Sequence, residues 1–201
     1  MTEIVLYMFP SMMLMWVFFI VRTAVSDIFE EKEKKTMQRM QTTPATVSQI
    51  IFAKYLRAFL LSLIVEGLML TLTRLIFGTH WGNPFWIALV LMSANLSITG
   101  VLVLIYAFCK TKESAEAAAI VVIMFSAVLG GAMVPFNQLP SIMQSVGKWT
   151  IHYYGALGMQ NVAGAKPLME ILKPVSYLTA VGMLSSFAGV KWLKNRFESG
   201  T

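Results

Sequence analysis

Few side chains in this sequence could do chemistry, and their placement narrows what that chemistry is. Glu66 lies inside the apolar stretch LLSLIVEGLMLTL. A carboxyl group in such a setting costs about 2.5–3.5 kcal/mol on insertion scales for the comparable aspartate at mid-helix, and it normally faces a bundle interior or water. Its expected roles are a polar step in a pathway between helices or a helix-to-helix hydrogen bond, with Asn95 as a neighbour able to satisfy it. Arg74 is eight residues on, two helical turns away, so it cannot pair directly with Glu66 and is expected to snorkel to the surface. The two histidines, His80 and His152, fall in different connecting segments with no Cys, His or carboxylate set beside them, so no metal site is expected. Cys109 is the single cysteine, which excludes an internal disulfide. No histidine falls at membrane depth to activate a serine, and no GxxxxGK[ST] phosphate loop occurs. The chain is therefore expected to have no catalytic site and no cofactor.

The elements that must position these residues are set by composition. Of 201 residues, 57% are apolar and only 13% charged, about half the charged share of a soluble domain. Five stretches have the length of about 20 residues needed to cross a hydrocarbon core of about 30 Å: residues 4–21, 58–77, 84–108, 117–136 and 174–190. Each is too long for a strand and none alternates strictly, which points to a helical bundle rather than a barrel. The fold expected is all-α: one polytopic membrane domain over residues 1–201 with five transmembrane helices. Ser93, Asn95, Ser97 and Thr99 put a polar stripe on the third span. Ala127, Gly130, Gly131, Gly182 and Gly189 are small enough for close helix contact.

The net charge of +6 is dispersed between apolar runs, a topology signal rather than a nucleic-acid face. Twelve of the sixteen Lys and Arg residues fall in the connection after the first span, the connection after the third and the tail. The positive-inside rule then puts the amino terminus outside and the carboxyl terminus in the cytoplasm. Glu3 and the lack of a basic start argue that the first span is retained rather than cleaved as a signal peptide.

The connection over 23–56 is expected to leave the membrane as an amphipathic helix, with Val25, Ile28, Phe29, Met37 and Met40 at near-helical spacing. Glu30 with Lys34, and Glu31 with Lys35, have the favourable order for pairs four residues apart. Thr43-Pro44 has the pattern of an N-cap and first-turn proline, opening a second short helix with Val47, Ile50 and Ile51 on one side. Lys54 and Arg57 would then anchor at lipid headgroups. On the opposite side, segment 137–170 carries an apolar stripe, Leu139, Ile142, Met143, Val146 and Trp149, opened by Pro140, while Trp149, Tyr153 and Tyr154 suit an interfacial belt. Short helices dipping into the outer face are expected there.

The order of these features resembles the membrane subunits of ABC exporters of the second permease class. The matching residues are Glu31, Lys32, Glu33, Lys34, Thr36, Arg39, Thr43 and Pro44, with Lys54 as the later lysine; Lys35 replaces the usual glycine and Met40 the usual leucine. Gly130, Gly131, Pro135 and Pro140 are similarly placed to residues of that family's outer re-entrant segment. The resemblance implies a permease that exports a drug, antibiotic, lipid or peptide-like substrate across a bacterial plasma membrane. It further implies that the run from Glu31 to Pro44 docks on a separate ABC ATPase subunit, and that the chain pairs with a second permease chain, identical or different, within membrane lipid and without nucleic acid. Family members generally begin with a further span and an external domain, so the sequence resembles the carboxyl-terminal portion of such a permease. The alternative is a non-transporting membrane scaffold or immunity-type protein that uses the same helix only to bind a partner.

Overall fold

Local signals set most of the helix ends. The computed structural model describes residues 2–33 and 47–198, and among them the ordered elements are all helical. They are α1 (Thr2–Glu33), α2 (Val47–Phe77), α3 (Pro84–Phe108), α4 (Lys112–Leu129), a 3-10 turn (Phe136–Gln138), α5 (Ser141–Gly147), α6 (Ile151–Ala163) and α7 (Leu168–Glu198). Asn83 caps α3, its side chain accepting from the Phe85 amide at 2.9 Å, and Pro84 supplies the first-turn proline. Thr111 opens α4 through a capping box with Ser114. Thr150 caps α6 by accepting from the Tyr153 amide.

Among the described residues, four segments are long and apolar enough to cross a membrane: Leu6–Asp27, Phe52–Phe77, Pro84–Phe108 and Leu168–Leu193. The remaining expected span, 117–136, differs from the helix found. Helix α4 starts at Lys112, so that its first turns carry Lys112, Glu113 and Glu116, and it stops at Leu129. There Gly131 takes φ +89°, and the Ala132 amide donates back to the Ala127 carbonyl at 2.9 Å. This is the six-to-one closure of a left-handed helix end, which a glycine without Cβ accepts freely. Helix α7 departs the other way. It begins six residues before Pro174, which lies inside it beside Gly158 of α6.

The directions of the long helices alternate. Asp27 near the end of α1 meets Arg57 near the start of α2. Ser26 of α1 meets Glu116 near the start of α4, while Ser11 of α1 meets Gly130 just past its end. Helices α2 and α4 therefore both run antiparallel to α1, and α4 lies along α1 between Ser26 and Ser11. Helices α3 and α7 run parallel: Leu96 faces Gly182, Gly100 faces Ser185 and Ser186, and Leu104 faces Gly189. This pair is the backbone of the fold. Small residues let the two helices approach closely, which is how membrane helices gain packing when lipid offers no hydrophobic incentive. Ser97 donates a hydrogen bond across the same seam to the Leu178 carbonyl.

Helix α3 occupies the centre, with 67% of its apolar window buried, and α2 the periphery, with 17%. Leu14 and Phe18 of α1, Ile98 and Tyr106 of α3, Ile123 of α4 and Leu178 of α7 form the larger apolar core. A second core, around Met13, Trp81, Val90, Met159 and Ile171, joins α1 and α3 to α6 and the start of α7.

Candidate functional site

Three places carry the residues singled out in the sequence. The first is the charged run after α1. Glu31, Lys32 and Glu33 fall in its last turn, and Lys34, Thr36, Arg39, Thr43 and Pro44 lie outside the described residues. What leads into the run is well defined. Ser26 Oγ donates to Glu116 Oε1 at 2.7 Å, Arg22 Nη1 stands 4.0 Å from Glu116 Oε2, and Asp27 Oδ2 stands 3.6 Å from Arg57 Nη1. Helix α1 is thus held by polar contacts to both α4 and α2 within about two and a half turns before the run begins. The Asp27–Arg57 pair is largely exposed and such pairs are worth at most about 1 kcal/mol, so its effect is to fix register more than to add stability.

The second place is the interior of the bundle. Glu66 of α2 and Asn95 of α3 are both fully buried, and Asn95 Nδ2 donates to Glu66 Oε2. The same amide nitrogen donates to the Leu91 carbonyl at 3.0 Å, one turn back along α3. Glu66 Oε1 and Asn95 Oδ1 have no hydrogen-bond partner among the described residues. The pair therefore ties the peripheral helix to the central one and leaves two acceptors unused in an apolar surrounding, where each unsatisfied polar atom is unfavourable.

The third place is the α5–α6 end. A cavity of about 310 Å³ opens between α1, the turn after α4 and α6, and Gly130, Gly131 and Pro135 all line it. Ser11 Oγ donates to the Gly130 carbonyl at 3.2 Å, and Gln160 Nε2 donates to the Tyr7 carbonyl at 3.1 Å, so α1 is linked to both walls. A Cβ on Gly130 would stand 2.4 Å from His152 Cβ, and one on Gly147 would stand 2.2 Å from the Leu129 carbonyl oxygen. The turn is therefore compressed against α5 and α6. Pro140 is not at the cavity; it stands before α5 as its N-cap residue. Behind the cavity, His152 is buried, stacked on Phe18 at 5.1 Å between ring centres, with Nδ1 and Ser126 Oγ 3.1 Å apart. Among the described residues no group of three or more His, Cys, Asp or Glu side chains converges as a metal set would.

The links from Arg22 and Ser26 to Glu116 were not singled out in the sequence. Their only signal there is the position of single charges at the margins of two apolar stretches, and nothing local says that these two margins meet.

The chain also resembles known proteins. The family described as ABC-2 family transporter protein matches residues 1–191. The linearmycin resistance permease protein LnrN of Bacillus subtilis (strain 168) is 24% identical over 172 residues, which cover 85% of this chain and 45% of that protein. The chain thus spans a little under half the length of that relative. No solved structure matches.

Proposed function

The chain belongs to the ABC-2 family of transporter proteins, and from that premise we propose that it is a permease subunit of an exporter, powered by a separate ABC ATPase. The observation that carries this reading is the continuity of α1. Its 32 residues, with Pro10 inside it, make one helix of about 48 Å, longer than a hydrocarbon core of about 30 Å. One part of it forms a wall of the cavity beside Gly130. Its other end delivers Glu31, Lys32 and Glu33 to the run in which the family resemblance puts the ATPase contact. A push at the charged end is transmitted along a single helix to the cavity wall, as rigid-body rocking between two access states requires. The two access states differ in which end of the pathway is open, and the ATPase biases them by binding one better than the other.

In this reading the Arg22 end is cytoplasmic and the α5–α6 end is outside, with the amino terminus outside and the carboxyl terminus inside a bacterial plasma membrane. Helix α4 is the fifth crossing in this reading: the contacts of Ser11 with Gly130 and of Ser26 with Glu116, fifteen residues apart along α1, support a traverse despite the charges in its first turns. The stretch around Pro135 and Pro140, with α5 and α6, is the re-entrant segment that closes the outer face. A second permease chain completes the pathway. Cysteines introduced one at a time test this topology: a membrane-impermeant maleimide applied to intact cells is expected to label Ser141→Cys and to leave Gln38→Cys unlabelled until the cells are opened. The opposite pattern would invert the bundle and remove the ATPase from the charged run.

The substrate follows less directly. The relative named above is a linearmycin resistance permease protein, and a role of this chain in moving an antibiotic-like compound is the reading that similarity supports. The experiment for the function as a whole is purification of the chain with its ATPase and measurement of ATP hydrolysis.

A further inference from the structure

Between α2 and α3, at the α5–α6 end, lies a groove of about 710 Å³. This is within the range of sites that bury small ligands, about 300–1,000 Å³. It is a different place from the cavity beside Gly130, which α1 and α6 line. Its walls are apolar along most of their length, with Leu63 and Leu70 on one side and Ile87 and Leu91 on the other. At its mouth stand Arg74, in the last turn of α2, and His80. Arg74 has no carboxylate ion pair among the described residues, in contrast to Arg22 and Arg57, each of which has one.

The groove is built rather than incidental. Its floor at Gly82 is fixed: φ is +82°, and a Cβ there would stand 2.4 Å from the Val162 carbonyl oxygen, so the linker is pressed onto α6. Trp81 is buried and its Nε1 donates to Thr73 Oγ1 at 3.1 Å, which pins the linker to α2 as well. Its interior is held open at Gly67, where an added Cβ would meet nothing within 4 Å. From Arg74 to Leu63 is eleven residues of helix, about 16 Å. That is the depth of one leaflet, half of the hydrocarbon core of about 30 Å.

We propose that this groove holds one phospholipid with an acidic headgroup, drawn from the leaflet at the α5–α6 end. The headgroup pairs with Arg74 and an acyl chain runs inward past Gly67 to Leu63. Charge selects the headgroup, because a lone guanidinium at an interface attracts an anionic lipid and a zwitterionic one far less. Length selects a lipid over a compact solute, because the apolar track continues for a whole leaflet. The bound chain would also lie against part of the largely uncovered surface of α2, near the Glu66–Asn95 tie. The proposal rests on α2 and α3 crossing the bilayer and is independent of coupling to an ATPase, so either reading can fail alone.

The test is native mass spectrometry of the full chain reconstituted in mixed phosphatidylglycerol and phosphatidylcholine vesicles and then released from mild detergent. The wild-type chain is expected to retain one phosphatidylglycerol in preference to phosphatidylcholine by about fivefold, the factor given by about 1 kcal/mol per basic residue at a membrane surface. Arg74→Gln is expected to abolish that preference. Gly67→Phe, whose Cβ would meet nothing within 4 Å and whose ring is meant to fill the groove, is expected to lower retention of both lipids, and Arg57→Gln is expected to change neither. Equal retention of phosphatidylglycerol by wild type, Arg74→Gln and Gly67→Phe would overturn the proposal. So would an adduct of different mass that phosphatidylglycerol does not displace, which would assign the groove to an exported amphiphile, or a dimer that Gly67→Phe dissociates, which would assign it to a second copy of the chain.

Discussion

Gly182→Leu is expected to leave a chain that inserts in the membrane but does not hold its bundle, with a larger loss of thermal stability in detergent than any polar substitution tested beside it. The reason is what a side chain would meet. A Cβ on Gly182 would stand 2.7 Å from the Ser97 nitrogen and 2.8 Å from the Leu96 carbonyl carbon, and one on Gly189 would stand 2.8 Å from the Leu104 nitrogen. These are backbone atoms of α3, which cannot move aside as a flexible side chain can. Overpacking of a core against side chains already costs about 1–3 kcal/mol, and separating two helix backbones forfeits contacts along the whole seam. The internal comparison is Gly67→Ala. That position is open, so the change is expected to be neutral or to stabilise α2 by about 0.5–1 kcal/mol through helix propensity. Fluorescence-detected unfolding of the purified variants gives the answer; equal Tm values for Gly182→Leu and wild type would mean that α3 and α7 are not packed as described.

The second large effect concerns Glu66 and Asn95, and it is asymmetric. Asn95→Leu removes the one donor, among the described residues, to a fully buried carboxyl group, and a buried polar group left without its partner costs about 1–3 kcal/mol, more if charged. Glu66→Leu leaves Asn95 with its bond to the Leu91 carbonyl, so it is expected to destabilise less. The double change to leucine removes the polar pair altogether and is expected to recover much of what Asn95→Leu loses, giving a coupling energy within the about 0.5–3 kcal/mol usual for contacting residues. Glu66→Gln keeps a hydrogen-bonding side chain of the same length and is expected to preserve assembly. For transport, Glu66→Leu is expected to lower activity more than it lowers insertion, because the polar step is then missing. Normal transport by the Glu66→Leu variant would reduce the pair to helix packing, and additive single effects in the stability cycle would mean that the two side chains do not touch.

What could be read from the sequence depended on whether the signal was local. The third span, 84–108, coincides with α3 because an Asn-Pro start and the break at Cys109-Lys110 mark both ends directly. The fourth span was placed by hydropathy, which runs on through Ala132, Met133 and Val134 after the helix has already closed at Gly130-Gly131. The turn was visible as a glycine pair, but an apolar run does not distinguish helix from apolar turn. In the same way, Pro174 looked like the start of the last span because the residues before it are mixed in polarity, whereas packing against α6 lets the helix continue through it. Asn95 could be named as a neighbour for Glu66 because few polar groups at membrane depth are available to any buried acid. The pairing of Ser26 and Arg22 with Glu116 could not be read, since about ninety residues separate them and a single sequence carries no register between helices. The seam of α3 and α7 was half legible: the glycines were evident, their partner was not.

In the proposed exporter, the charged run after α1 is where an ATPase engages the permease. The most direct measurement of that engagement is vanadate-sensitive ATP hydrolysis by the affinity-purified chain together with its co-expressed ABC ATPase in lipid nanodiscs, for wild type, Lys32→Glu with Arg39→Glu, and Pro44→Ala. The wild-type assembly is expected to hydrolyse ATP and to retain the ATPase through purification. Both sets of changes are expected to lose most of that activity and of the bound ATPase, while the chain still inserts and keeps its Tm, since neither set alters a residue of the two described cores. Full ATPase retention and unchanged hydrolysis in both variants, or a wild-type chain that carries no ATPase at all, would contradict it.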